Sequence, residues 1–115
     1  MDAKEADIAL QTYKETRRKF LEAGDALFGP GFITMAEYYF VKKNGRSPFA
    51  MLFSEPRIVY DEWVSVFKGE EPVRKLVEKA TGPGYMSILE DIKRNDGLRV
   101  WNAFHNMARR TTVAA

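Results

Sequence analysis

Apolar residues recur along this chain at helical spacing, and glycine and proline cut the pattern into short segments. From Ala3 to about Ala26, the positions Ala6, Leu10, Tyr13, Phe20 and, just beyond, Leu27 form the stripe of an amphipathic helix that only Arg17 interrupts. Glu15 with Lys19, and Arg18 with Glu22, set opposite charges four residues apart on its exposed side. Gly24 weakens the last turn, and Gly29-Pro30 ends the helix. A second helix follows from about Phe32 to Lys43. Its apolar residues Phe32, Ile33, Met35, Ala36, Tyr39 and Phe40 cover more than half the circumference, which predicts a central position. Asn44-Gly45 closes it.

Ser47-Pro48 reads as an N-cap with proline at the first helical position, opening a single turn through Phe49, Met51, Leu52 and Phe53. Proline disfavours helical geometry at Glu55, so the next helix begins at Pro56 and runs to about Phe67. Its anchors are Val59, Trp63, Val66 and Phe67, with Asp61 and Glu62 facing outward. Glu70-Glu71-Pro72 starts another helix, with carboxylates at the positive end of its dipole and Val73, Leu76, Val77 and Ala80 on one face. Tyr85, Ile88, Leu89 and Ile92 mark a further short helix, and Leu98, Trp101, Phe104, His105 and Ala108 the last. No segment alternates with period two long enough for a strand. The expectation is an all-α, compact orthogonal bundle of about six helices with short connections and no sheet. It forms one domain over 1–110, with a frayed tail at 111–115.

Two of the breaks share a grammar. Gly29-Pro30-Gly31-Phe32-Ile33-Thr34 is written again, altered, as Gly82-Pro83-Gly84-Tyr85-Met86-Ser87, and each following helix ends on a basic pair, Lys42-Lys43 or Lys93-Arg94. A duplicated unit and chance recurrence of helix-start residues both account for this. The pattern predicts that Phe32 and Tyr85 occupy comparable inward-facing positions after sharp breaks. A glycine-rich turn leading into a helix also exposes backbone N–H groups to an anion, but neither copy carries the lysine and hydroxyl residue of a phosphate loop.

Composition narrows the chemistry. Eighteen basic against sixteen acidic residues in 115 leave a net charge of only +2, so polyanion binding would need a concentrated patch. No cysteine is present, which excludes disulfides, thiolate metal sites and cysteine nucleophiles. The first residues carry both charges and no apolar core of signal-peptide length, and no apolar run is long enough to span a bilayer. A cytoplasmic protein with no membrane partner is expected. His105 is the sole histidine, so histidine pairs cannot form, and the neighbouring carboxylates Asp61-Glu62, Glu70-Glu71 and Glu90-Asp91 diverge by about 100° on a helix. These residues point to no catalytic, cofactor or metal site. An enzyme would require Glu37, Glu90 or His105 to converge in a pocket.

Fifteen aromatics are many for a domain of this size, and the adjacent Tyr38-Tyr39 cannot both face one core. Exposed tyrosine and methionine mark protein interfaces. The candidate interaction surface is therefore Tyr38, Tyr39, Lys42, Lys43 and Arg46, in a self-associating module, expected to be a homodimer, that binds protein. The alternative is a nucleic-acid-binding helical domain using its dispersed basic clusters, with Arg17, Arg18 and Lys19 as candidate contacts.

Leu27, Gly29, Tyr38, Tyr39, Gly45, Ser47, Pro56, Phe67, Gly69, Leu76 and Val77 form an ordered set of turns and helix ends. Over residues 27–80 this order resembles the small archaeal output-domain family first defined in ammonia-oxidising archaea. The resemblance implies an all-helical regulatory or signal-output domain, with no catalytic residues to carry over.

Overall fold

Glycine and proline place the helix breaks. The computed structural model describes residues 3–114, with side chains over 4–110. Its helices are α1 (Ala3–Phe28), α2 (Phe32–Asn44), the single-turn α3 (Pro48–Met51), α4 (Pro56–Phe67), α5 (Glu70–Thr81), α6 (Tyr85–Lys93) and α7 (Gly97–Ala114), with a 3-10 turn over Gly82–Gly84. Six of these have nine or more residues, and no strand occurs among the described residues, so the fold is the expected all-α bundle. Pro48 and Pro56 each open a helix, and Ser47 Oγ accepts a hydrogen bond from Phe49 N at 3.2 Å. Gly45, at φ 78°, donates its N–H back to Val41 O at 2.7 Å and closes α2. α7 takes in most of the stretch 111–115 that was expected to fray. The side chains there, and all of Ala115, lie outside the described residues.

The core is centred on Phe20, whose ring lies 5.4 Å from Trp63 and 5.7 Å from both Phe49 and Phe104. α1, α3, α4 and α7 thus meet at one aromatic cluster, and α5 adds Val73, Leu76 and Val77. α1 is the spine: it packs on α2, α3, α5 and α7, whereas α2 rests chiefly on α1 and α3. A polar tie joins α4, α5 and α6. Buried Tyr60 donates to Glu70 Oε1 at 2.8 Å, while Arg57 and Lys93 lie over its ring at 5.3 and 5.7 Å.

Several expected faces are turned. On α1 the buried line is Thr12, Thr16, Phe20 and Ala23, while Leu10 and Leu27 are exposed. Buried threonine is tolerable here because Thr12 and Thr16 donate their hydroxyls to the carbonyls of Ile8 and Thr12, at 3.0 and 2.7 Å. Gly24 does more than weaken a turn: a Cβ there would lie 1.9 Å from Ile33 Cγ1, so its missing side chain lets α2 pack close to α1. α2 is peripheral, not central. It buries Ile33 and Phe40, and leaves Met35, Tyr38, Tyr39 and Val41 exposed. On α4, Val59 and Trp63 are buried but Val66 is exposed. On α7, Gly97 abuts the backbone of Phe53 and sets the phase that buries Val100, Phe104 and Ala108, which turns Leu98 outward.

The two Gly-Pro-Gly breaks are also unlike. The first is an open turn with Gly29 and Gly31 at φ 97° and 83°, and the second is the 3-10 turn, with Gly84 at φ −88°. α2 buries Ile33, whereas its counterpart Met86 on α6 is exposed, and α6 buries Ile88, whose counterpart Met35 is exposed. The two helices are therefore rotated against each other by about one residue, or 100°. Phe32 and Tyr85 are not equivalent. Phe32 is 37% exposed at the edge, 5.4 Å from Phe28 and 5.5 Å from Phe67, while half-buried Tyr85 packs on the core and accepts from Arg74 Nη1 through its hydroxyl at 3.2 Å.

Candidate functional site

α2 starts where Gly31, in a left-handed conformation, donates its N–H to Asp25 Oδ1 at 3.2 Å and accepts at its carbonyl from Met35 N at 3.0 Å. Two polar clamps then hold its flanks. Arg17 donates Nε and Nη2 to the two Glu37 oxygens at 2.8 and 2.9 Å, a bidentate pair between α1 and α2. Lys43 Nζ reaches both oxygens of Glu62 on α4, at 3.0 and 3.2 Å. Lys42 and Lys43 also lie in the last turn, where cations complement the helix dipole.

At about 100° per residue, Met35, Tyr38, Tyr39 and Lys42 fall about 140° to 240° from Ile33, on the side opposite the buried face. Met35, Tyr38 and Tyr39 are 59%, 62% and 59% exposed, and the two tyrosine rings meet edge-on at 5.4 Å. An apolar, aromatic strip with Lys42 at one end thus projects from a helix that is clamped beneath. Lys42 and the exposed Arg46 enter no ion pair among the described residues.

Of the five residues expected at the interaction surface, Tyr38, Tyr39 and Lys42 share this outer face, and Arg46 follows just past the C-cap. Lys43 lies on the flank of α2, where it pairs with Glu62 at 3.0 Å while staying 66% exposed. Met35, one of the apolar residues whose breadth predicts a central α2, is exposed beside the two tyrosines. Its exposure follows from the rotation of α2, which no local pattern reveals.

The cluster Arg17-Arg18-Lys19 is largely engaged within the chain. Arg17 pairs with Glu37, and Arg18 donates to Glu15 and Glu22, each at 2.8 Å. Hydrogen bonding from Arg18 holds the Glu15 carboxyl below its ordinary value. Two of the three cations are thus paired with carboxylates of the same chain, with side chains 38% and 46% exposed.

The residues weighed for catalysis lie on three elements with separate surroundings. Glu37 on α2 is held by Arg17, Glu90 on α6 faces Arg94 at 3.7 Å, and His105 on α7 stacks on Trp101 with ring centres 4.4 Å apart. His105 Nδ1 lies 3.3 Å from Thr12 Oγ1, which also bonds to Ile8 O at 3.0 Å. A groove of about 730 Å³ between α1 and α7 is lined by Ile8, Thr12, His105 and Ala108, with Lys4 and Arg109 at its rim. No group of three metal-binding side chains occurs among the described residues. No described helix is long and apolar enough to cross a membrane.

The chain matches no known family model, curated protein or solved structure.

Proposed function

We propose that this chain is a cytoplasmic protein-protein interaction module of regulatory or signal-output type, without intrinsic catalysis, that self-associates through the outer face of α2. The observation that carries this reading is the exposed strip of Met35, Tyr38 and Tyr39 on a helix fixed by Ile33, Phe40 and the Arg17–Glu37 and Lys43–Glu62 clamps. Tyrosine and methionine give large contact area at low entropic cost, and a clamped helix need not reorganise to bind. The engagement of Arg17 and Arg18 weighs against a nucleic-acid role. The regulatory part is what the resemblance over residues 27–80 implies.

Sedimentation equilibrium tests the reading. The wild-type chain is expected to dimerise at micromolar concentration, and Tyr38→Glu to sediment as a monomer whose thermal midpoint equals that of the wild-type chain diluted to its monomeric range, because Tyr38 supports no core contact and dimerisation itself raises the midpoint. A wild-type monomer at every concentration would remove self-association.

A further inference from the structure

We infer that the outer face of α2 takes the same face of a second copy, packed antiparallel about a twofold axis near Tyr38 and Tyr39; this rests on the self-association reading above. The charges along the face decide the orientation. Lys42 and Arg46 occupy its C-terminal end, and the exposed carboxylate of Asp25, held on Gly31 N, occupies its N-terminal end. At about 1.5 Å per residue, Gly31 and Arg46 bracket the tyrosine pair about equally on either side. An antiparallel pair sets each Arg46 end against the partner copy's Asp25 end and opposes the helix dipoles favourably. A parallel pair sets Lys42 beside Lys42 and Arg46 beside Arg46, and like charges in contact penalise it.

The area agrees with a reversible dimer. Large side chains of this size bury about 150 to 250 Å² each when fully covered, so the more-than-half-exposed Met35, Tyr38 and Tyr39, with the flanking Phe32, offer about 450 Å² per copy. Two copies then bury about 900 Å², the size of a weak, reversible contact. An isologous contact also closes on itself, so assembly stops at the dimer.

The absence of cysteine makes the test direct. Met35→Cys and Lys42→Cys, each the sole thiol in its chain, exchange levels across an antiparallel pair. Mixed and mildly oxidised, they are expected to give the mixed disulfide at least ~10-fold above the Lys42→Cys homodisulfide, since bridging demands Cα atoms within about 7 Å. Equal or dominant Lys42→Cys homodisulfide overturns the antiparallel arrangement. No disulfide from a chain that sediments as a dimer places the contact on another face and overturns it too. Arg46→Glu should weaken the dimer by ~5-fold or more at low salt, with the difference shrinking at high salt. An unchanged dissociation constant removes the charge argument. A wild-type chain that never dimerises fails the parent reading, and sedimentation alone separates that result from the others.

Discussion

Replacing Gly24 with alanine puts a methyl carbon 1.9 Å from Ile33 Cγ1 and 3.0 Å from its Cβ and Cδ1. In an exposed helix this exchange gains about 1 kcal/mol of helix propensity. Here the opposing atom is bonded directly to Cβ, and a β-branched residue in a helix has essentially one χ1 rotamer, so rotating a chain end does not relieve the overlap. α2 must retreat from α1, which loosens fully buried Ile33 and the Arg17–Glu37 pair. Overpacking costs about 1 to 3 kcal/mol, and the upper end is appropriate to a contact this short. The expected net loss is about 2 kcal/mol, or roughly 8 °C in midpoint for a domain of this size. Chemical and thermal denaturation followed by far-UV circular dichroism reads it. A double-mutant cycle isolates the cause. Ile33→Ala alone should cost about 3 kcal/mol, and the double variant should fall short of the summed costs by at least ~1.5 kcal/mol, because the new methyl occupies the space that Ile33 vacates. A Gly24→Ala protein more stable than wild type, or additive costs, would refute the account of how α2 is seated.

Gly97→Ala should be more damaging, at about 3 kcal/mol or above, because its Cβ would lie 2.6 Å from Phe53 O, a backbone atom with no rotamer to change; a neutral denaturation midpoint would contradict this. Tyr60 gives an alkaline signature. Burial, then the hydrogen bond to Glu70, pushes its pKa up to about 12, above an unfolded value near 10. Its stabilisation is full below pH 10 and is lost as pH rises toward 12, about 3 kcal/mol in all. Tyr60→Phe should therefore lose less stability than wild type across that window, and parallel curves would sink the assignment. Glu15, lowered by Arg18, stabilises above its unfolded pKa and loses this as pH falls through its lower folded value. With Arg18 about half exposed, Glu15→Gln should cost under ~1 kcal/mol at neutral pH and nothing in strong acid, and an equal cost at both pH values would rule out the ion pair as its source.

Local chemistry was enough to place the helices. Pro48 and Pro56 can begin a helix but not continue one, Gly45 supplies the left-handed residue that ends one, and the boundaries at Phe32 and Phe67 follow from the same punctuation. Those signals act within four residues of themselves. The absence of cysteine and the lack of paired histidines were likewise legible, as was the surplus of aromatics that two adjacent tyrosines must partly expose. What only the tertiary structure decided was the rotation of each helix about its axis. An amphipathic pattern as broad as that of α2 admits several phases, and the choice was made by contacts distant in sequence: Gly24 against Ile33, Arg17 with Glu37, and Lys43 with Glu62. On α7, Gly97 against Phe53 turned Leu98 outward by the same means. These contacts put Met35 on the surface beside Tyr38 and Tyr39, and paired Arg17 with Glu37 and Lys43 with Glu62 along the flanks of α2. A hydrophobic side chain can satisfy either a core or a partner, so its residue type alone leaves that choice to the packing of the whole chain.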